Sequence, residues 1–177
     1  MKERVFSLEV DVVDLVSATD KALSLAQEGG YVCVANVHMV MEALDDSDFA
    51  TVVNSADLVV PDGKPLSVYQ RINGAKEAKQ VRGRDLFDSL IDVACINKLN
   101  VGFYGGSDDS VLSRLKDTLE KRTEGKLKVS YAYSPPFRKL NNSELTQVID
   151  EIKYNKVDIL FVGIGCPKQE KWMFENS

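Results

Sequence analysis

Histidine and tryptophan each occur once in this 177-residue chain and cysteine three times, and each scarcity closes off a class of chemistry. The lone His38 cannot complete a zinc site without carboxylates, and no Ser or Cys nucleophile lies beside it to support a hydrolase triad. Cys33, Cys95 and Cys166 are odd in number, far apart and without a CxxC pair, and all three sit in apolar sequence. That is the usage of buried, reduced thiols in a cytosolic protein. No apolar run approaches the ~20 residues a transmembrane helix needs. Met1-Lys2-Glu3-Arg4-Val5 has no apolar h-region of the kind a signal peptide carries. The chain therefore reads as soluble. Basic residues are outnumbered, 22 Lys and Arg against 27 Asp and Glu. The net charge of −5 argues against nucleic acid or an anionic membrane covering the whole surface, while leaving room for a local basic pocket.

What is present is ordinary globular composition, 44% hydrophobic and 28% charged. The chain reads as one domain over residues 1–177, long enough to bury roughly two-thirds of its unfolded surface. Apolar runs of strand length alternate with stretches of helical spacing. Val5–Val12 alternates and predicts a strand or hairpin. Leu15, Ala18, Ala22, Leu23 and Ala26 recur as on one helix face, ended by Gly29-Gly30. Tyr31–Ala35 is β-rich. Val37, Val40, Met41 and Leu44 form a helical pattern broken by Asp45-Asp46-Ser47-Asp48, and a short helix through Phe49 and Val53 leads to the strand Ala56–Val60. A helix around Leu66–Ile72 and a basic segment up to Arg84 follow, then a helix through Leu86, Leu90, Ile91 and Ala94. The strand Asn100–Tyr104, a helix capped by Ser107, the strand Leu127–Ala132, a helix capped by Asn142 or Ser143 and the strand Val157–Val162 complete the series. This order predicts an α/β, Rossmann-like fold, a largely parallel sheet with helices on both faces and room for a small second lobe near Ile72–Arg84.

In such sheets ligands bind beyond the carboxyl ends of the strands. The polar residues that end strands are Asn36, Asp62, Gly105-Gly106 and the turn from Gly163 to Gln169, and they are expected to converge on one cleft. Asp62 is placed to take a proton from a substrate hydroxyl, or else to serve Pro61-Asp62-Gly63 as turn and helix cap. Asn36 can orient a substrate hydroxyl or amide, or cap the next helix. Gly105-Gly106-Ser107 resembles a phosphate-cradling turn, but lacks the third glycine of a dinucleotide fingerprint. In Gly163-Ile164-Gly165-Cys166-Pro167 that third place is held by Lys168, so a nicotinamide cofactor is disfavoured. Pro167 suits the first turn of a helix. Arg82 and Arg84 offer forked donors for a diphosphate, or form a solvated basic loop. Asp46-Ser47-Asp48 matches a loose metal-binding pattern, yet its place between two helical stretches favours a helix cap.

Together these segments resemble the WecG/TagA/CpsF family of bacterial glycosyltransferases. The resemblance runs through Val32–Val40, Ala56–Gly63, Arg82-Gly83-Arg84-Asp85-Leu86, Tyr104-Gly105-Gly106, Ser134-Pro135-Pro136-Phe137 and the specific closing stretch Val162–Trp172. It implies transfer of a sugar, typically N-acetylmannosamine, from a UDP-sugar to a polyprenyl-diphosphate-linked GlcNAc, with inversion and with neither cofactor nor metal. The family's catalytic aspartate falls on Asp62 as general base, its asparagine on Asn36, and its glutamine on Gln169 near the diphosphate or donor sugar. UDP departure then needs positive potential, for which the helix N-termini after Gly106 and Gly165 and the side chains of Arg82, Arg84 and Lys168 are candidates. Two departures stand out. Val34 replaces a threonine common in relatives, and the chain ends in mid-helix where relatives continue into an amphipathic, arginine-rich tail that docks on the inner face of the plasma membrane. On this reading the present chain binds UDP, turns over poorly and has apolar surface that favours a homo-oligomer. Another UDP-hexose donor, or a weakly active nucleotide-sugar-binding subunit, is the alternative.

Overall fold

The computed structural model describes residues Met1–Ser177. The chain divides into two compact units, one made of Met1–Leu90 with Cys166–Ser177 and the other of Ile91–Gly165. The division falls inside one helix.

The first unit begins with a hairpin, β1 (Lys2–Val5) and β2 (Leu8–Asp11), paired antiparallel with Val5 opposite Leu8. Helix α1 (Leu15–Glu28) starts at Asp14, which with Ser17 forms a reciprocal capping box, and stops at Gly29 in a positive-φ conformation. β3 (Val32–Ala35) and β4 (Leu58–Pro61) run parallel, with Val32 opposite Leu58 and Ala35 opposite Pro61. Between them lie α2 (Val37–Asp45) and α3 (Ser47–Asn54), and after β4 comes α4 (Lys64–Ile72). The hairpin is tied to this pair by Asp11, whose Oδ2 accepts from the Val59 amide at 2.9 Å, and by the buried Gln70, whose amide donates to the Val10 carbonyl at 3.1 Å. The core between these elements is built from Leu8, Val10, Cys33, Phe49, Val53 and Val59, each at most 1% exposed. Each of the larger apolar side chains contributes about 1.5–3 kcal/mol by leaving water. α8 (Lys168–Asn176) closes on this core through Met173, with Cys166 packed beside it.

In the second unit β5 (Asn100–Gly105) is the centre of a three-stranded parallel sheet, with β6 (Lys128–Tyr133) on one side and β7 (Ile159–Gly163) on the other. α6 (Asp109–Thr123) links β5 to β6, and α7 (Asn142–Tyr154) carries the chain from β6 to β7. The chain thus leaves β5 toward one neighbour and returns on its other side, which makes the β5–β7 border the switch point of this sheet. Phe103 and Phe161 stack across that border with centroids 5.6 Å apart. Gly102 has no room for a side chain: a Cβ there would lie 2.9 Å from both Leu160 and Val157.

The mixed α/β, Rossmann-like class expected from the alternation of runs is therefore observed, with parallel pairing in both units and the antiparallel hairpin as the exception. Three boundaries differ from the sequence expectation. α6 is capped by Asp108, which accepts from the amides of Ser110 and Val111, and Ser107 instead donates its hydroxyl to Asp108. α7 is capped by Asn141 in a capping box with Glu144, one residue ahead of the expected cap. α5 (Gly83–Asn97) begins a turn before Leu86. No helix is long and apolar enough to cross a membrane.

Candidate functional site

The register of β3 and β4 places Ala35 and Pro61 side by side, so the residues that follow them share one edge. The Asp62 amide donates to the Ala35 carbonyl at 2.8 Å, and a Cβ built on Gly63 would lie 3.7 Å from the Asn36 Cα. Asn36 and Asp62 are thereby neighbours, and both are half-buried. Asn36 is the N-cap of α2: its Oδ1 accepts from the Met39 amide at 3.0 Å. The capping alternative is thus realised, and it does not exhaust the side chain. With the oxygen turned into the helix, the Nδ2 group remains to donate to a ligand.

Asp62 makes a longer-range version of the same bond. Its Oδ1 accepts from the Gly83 amide at 2.7 Å, which caps α5 from a strand end 21 residues earlier in the chain. This explains why α5 reaches back to Gly83. The second oxygen, Oδ2, remains as the acceptor for a proton. The Val81 amide donates to the Pro61 carbonyl at 2.9 Å and the Gln80 side chain donates to the Asp62 carbonyl at 2.5 Å, so residues 80–83 are laced along the end of β4. Close approach is required here, because a Cβ on Gly83 would come within 3.0 Å of the Val34 side chain. α4, which starts just after Asp62, has Gly63 as N-cap and no side chain bonded to its first amides. Two helix N-termini, each carrying partial positive charge, therefore flank this carboxylate.

Arg82 and Arg84, read from sequence as a basic loop or diphosphate clamp, belong to the start of α5. Arg82 grips Asp85 through both branches of its guanidinium, at 2.8 and 3.1 Å. That pairing, with a smaller contribution from Asp62, raises its pKa above the ordinary arginine value. Arg84 is 89% exposed and 3.8 Å from Asp88. Arg82 is thus fixed in place, and Arg84 reaches into solvent.

The end of β7 and the turn after it are split between the units, Gly163 and Gly165 on the second and Lys168 and Gln169 on the first. Pro167 is the N-cap residue of α8, one place ahead of the first turn expected for it, and Lys168 is exposed on that turn. Gln169 is half-buried, and its amide nitrogen donates to Glu170 Oε1 at 2.8 Å. Lys171 is drawn to Asp46 Oδ2 at 3.0 Å, which pins α8 to the start of α3. Asp46 also accepts from the amides of Asp48 and Phe49, and these bonds with the Lys171 pair hold its pKa below the usual carboxylate value. The 46–48 pattern is therefore a helix cap. His38 lies exposed on α2, 3.9 Å from Glu42, and all three cysteines are free thiols. No cluster of three or more His, Cys, Asp or Glu side chains is arranged to hold a metal ion.

In the second unit Gly105 and Gly163 face each other across the β5–β7 border. Gly105 has φ of 144°, and a Cβ there would run into the Gly163 carbonyl, so backbone packing alone demands this glycine. The Gly106 amide, at a residue with φ of 95°, donates to the Gly163 carbonyl at 3.3 Å, and Ser134 donates its hydroxyl to the Gly106 carbonyl at 3.2 Å. Because Asp108 already takes two of the first amides of α6, that N-terminus presents less of the positive end expected for a phosphate. Gly163 differs: its φ is ordinary, and a Cβ there would meet nothing within 4 Å.

Within the first unit the structure unites Asn36, Asp62 and the Gly83 amide, and within the second Gly105, Gly106 and Gly163. Sequence reasoning passed over Gln80 and Glu170. Gln80 carries no motif, whereas Glu170 lies inside Val162–Trp172 and only its burial, at 1% exposure, sets it apart.

The family model described as glycosyl transferase WecG/TagA/CpsF matches residues 3–177. The chain is 26% identical over 163 residues to an N-acetylglucosaminyldiphosphoundecaprenol N-acetyl-beta-D-mannosaminyltransferase of Bacillus spizizenii, covering 92% of this chain and 61% of that protein. A Staphylococcus aureus protein of the same name is 28% identical over 149 residues, covering 83% of this chain and 55% of its own length. For the Bacillus subtilis counterpart the values are 25% over 146 residues, 82% and 54%. The chain spans 54% to 61% of the length of these relatives.

Proposed function

The chain belongs to the WecG/TagA/CpsF family of glycosyl transferases, and from that premise we propose that it moves N-acetylmannosamine from a UDP-sugar to a GlcNAc carried on a polyprenyl diphosphate. The observation that carries this reading is Asp62, a carboxylate at a parallel strand end with one oxygen anchored and the other open. In the reaction Oδ2 takes the proton of the acceptor hydroxyl while that oxygen attacks the anomeric carbon. The bond to UDP breaks on the opposite face. A single displacement of this kind inverts the anomeric centre.

Anchoring Oδ1 on the Gly83 amide supports the role, since a base works only when held within hydrogen-bond reach of the proton it takes. Asn36 donates through Nδ2 to a sugar oxygen. The diphosphate that leaves carries growing negative charge, and the α4 and α5 N-termini with Arg82 supply stabilisation from fixed dipoles and a fixed cation. Arg84 and Lys168, both exposed, add mobile positive charge. Gln169 contacts the diphosphate or donor sugar, and Gly163 and Gly165 give a surface without side chains along which a ligand can lie; Gly105 and Gly106 support it by closing the β5–β7 border. With Asp46 committed to its cap and to Lys171, the 46–48 segment is not needed as a metal site. The relatives' acceptor is lipid-linked, which fits work at the inner face of a membrane.

The test is transfer from UDP-N-acetylmannosamine to a GlcNAc-diphosphate-lipid analogue by Asp62→Asn. The asparagine oxygen can still accept from Gly83, so the melting temperature is expected to hold while transfer falls about 10²–10⁴-fold. Normal transfer by a folded Asp62→Asn protein would mean that Asp62 is not the base.

A further inference from the structure

Basic charge in this acidic chain is gathered in one place. Residues 64–84 hold six of the 22 Lys and Arg and one of the 27 Asp and Glu, a local charge of +5 in a chain of −5. Three of those cations are committed: Lys79 reaches Asp14 at 3.2 Å, Arg82 reaches Asp85 at 2.8 Å, and Arg84 lies 3.8 Å from Asp88. Lys64, Arg71 and Lys76 are exposed and take part in no ion pair. Lys64 and Arg71 stand on α4, and Lys76 follows its end, where the buried Ala75 donates its amide to the Gln70 carbonyl at 3.0 Å. α4 buries Leu66, Ser67 and Gln70 and turns Pro65, Val68 and Ile72 outward, Ile72 being 79% exposed. Beside them the turn between β1 and β2 raises Phe6, 56% exposed, whose ring stacks on Tyr69 of α4 with centroids 5.3 Å apart. Arg4, which donates to the Phe6 carbonyl at 3.0 Å, adds a cation at the same turn. Apolar tips and unpaired cations thus share one surface.

We propose that this surface, the outer face of α4 with the turn between β1 and β2, docks on an anionic phospholipid membrane. Ile72 and Phe6 enter the boundary between headgroups and acyl chains, and the cations around them meet lipid phosphates, their long stems lying along the apolar tips. Each Lys or Arg near such a surface strengthens binding about fivefold. Charge decides between this surface and the other exposed apolar stripe, Val37, Met41 and Leu44 on α2, each close to half exposed. That stripe is flanked by Glu42 and Asp45, which an anionic surface repels. A nucleic acid would use the cations and gain nothing from Ile72. Docking here also suits chemistry on a lipid-linked acceptor. α4 begins two residues after Asp62 and, at nine residues, is about 14 Å long, so the strand end is held within about a helix length of the docked face. The inference adds a surface to the proposed activity and does not depend on it.

The experiment is cosedimentation of the chain with vesicles of equal parts phosphatidylglycerol and phosphatidylcholine, against vesicles of phosphatidylcholine alone, at low and high salt. No sugar substrate is present, so failure here leaves the transfer reading standing. Binding to the anionic vesicles alone is expected, and it should weaken as salt shortens the reach of surface charge. Lys64→Gln, Arg71→Gln and Lys76→Gln together should weaken it about a hundredfold, and Ile72→Ser about tenfold. All four side chains are exposed, so the melting temperature should hold. Phe6→Ser should act like Ile72→Ser, which carries the test if loss of the Tyr69 stack unfolds the former. Met41→Ser on α2, and Lys116→Gln with Lys121→Gln on α6, should bind as the parent does. Absence of binding to anionic vesicles, equal binding to neutral ones, or equal losses in the α2 and α6 controls would overturn the inference. So would an Ile72→Ser protein that binds normally; joined to tighter retention of the parent on single-stranded RNA than on vesicles, that result would assign the patch to a nucleic acid instead.

Discussion

The carboxyl edge of β3 and β4 and that of β5 and β7 are both parallel strand ends, yet they are built on opposite plans. The first is made of side chains with two jobs. Asn36 caps α2 with its oxygen and keeps its nitrogen for other use, and Asp62 caps α5 with one oxygen and keeps the other. The second is made of glycines, and Gly105 is glycine because the backbone of Gly163 occupies the place of its Cβ. A polar residue at a strand end can thus be structural and functional at once, whereas a glycine pair there can be wholly structural. Spacing in the sequence does not separate the two.

The comparison is broken most directly at Gly105. Replacing it with alanine puts a Cβ into the Gly163 carbonyl at a positive φ, and we expect a loss of about 3 kcal/mol or more, read by denaturant unfolding. Gly163→Ala, at an ordinary φ with nothing within 4 Å of the new Cβ, should leave stability within about 0.5 kcal/mol. Any fall in donor binding by that second variant would then be a ligand effect, because the fold has no use for the missing side chain. Equal destabilisation by both variants would remove the distinction between a packed glycine and an open one.

The chain discloses only part of this in one dimension. The periodicity of Leu15–Ala26 and the apolar runs around Val59 and Phe103 were legible, since helix faces and buried strands write themselves into local spacing. The proposed base and its asparagine neighbour were legible as strand-end residues for the same reason. The start of α5 was not, because its cap comes from Asp62, on another strand. Nor was the burial of Glu170, whose neighbours Lys168, Gln169 and Lys171 give the local sequence the look of a solvated turn. Arg82 and Arg84 looked alike in sequence and differ in the fold, one locked to Asp85 and the other reaching outward. In each case the deciding partner or surface is set by packing rather than by adjacent residues.

A medium-sized effect sharpens the first edge. Asn36→Ala removes the cap of α2 and should cost about 1 kcal/mol of stability as well as donor affinity. Asn36→Asp keeps an oxygen for the Met39 amide and places a negative charge on the first turn, so thermal stability should be kept. It loses the Nδ2 donor, however, and sets a second carboxylate beside Asp62, so transfer should fall as far as in Asn36→Ala or further. If Asn36→Asp restored both stability and transfer, the residue would be a cap and nothing more.

The smallest expected effect is shared by the two units and concerns acid. Asp14 in the first unit is lowered to about 2, mainly by the Ser17 amide and hydroxyl, with Lys79 adding to it. Glu144 in the second is also lowered to about 2, by its bidentate Arg138 pair and then by the Asn141 amide. Asp46 and Asp108 are depressed by comparable cap bonds. A carboxyl whose folded pKa lies below its unfolded value binds its proton more tightly when unfolded. Its contribution is therefore fully present above the ordinary carboxylate range, 3.8 for Asp14 and 4.5 for Glu144, and is lost as the pH falls toward about 2. Asp108 is exposed and the other three are partly open to solvent, so each loss is small and screened by salt. Melting temperature should be flat with respect to these four groups above the carboxylate range and decline below it. Arg138→Gln should reduce that decline by removing the larger cause of the Glu144 shift, and Ser17→Ala should reduce it less, because the Ser17 amide, the larger cause of the Asp14 shift, remains. A chain that melted at the same temperature at both ends of that window would show that these caps add nothing through their charge, and the comparison of the two edges would then rest on packing alone.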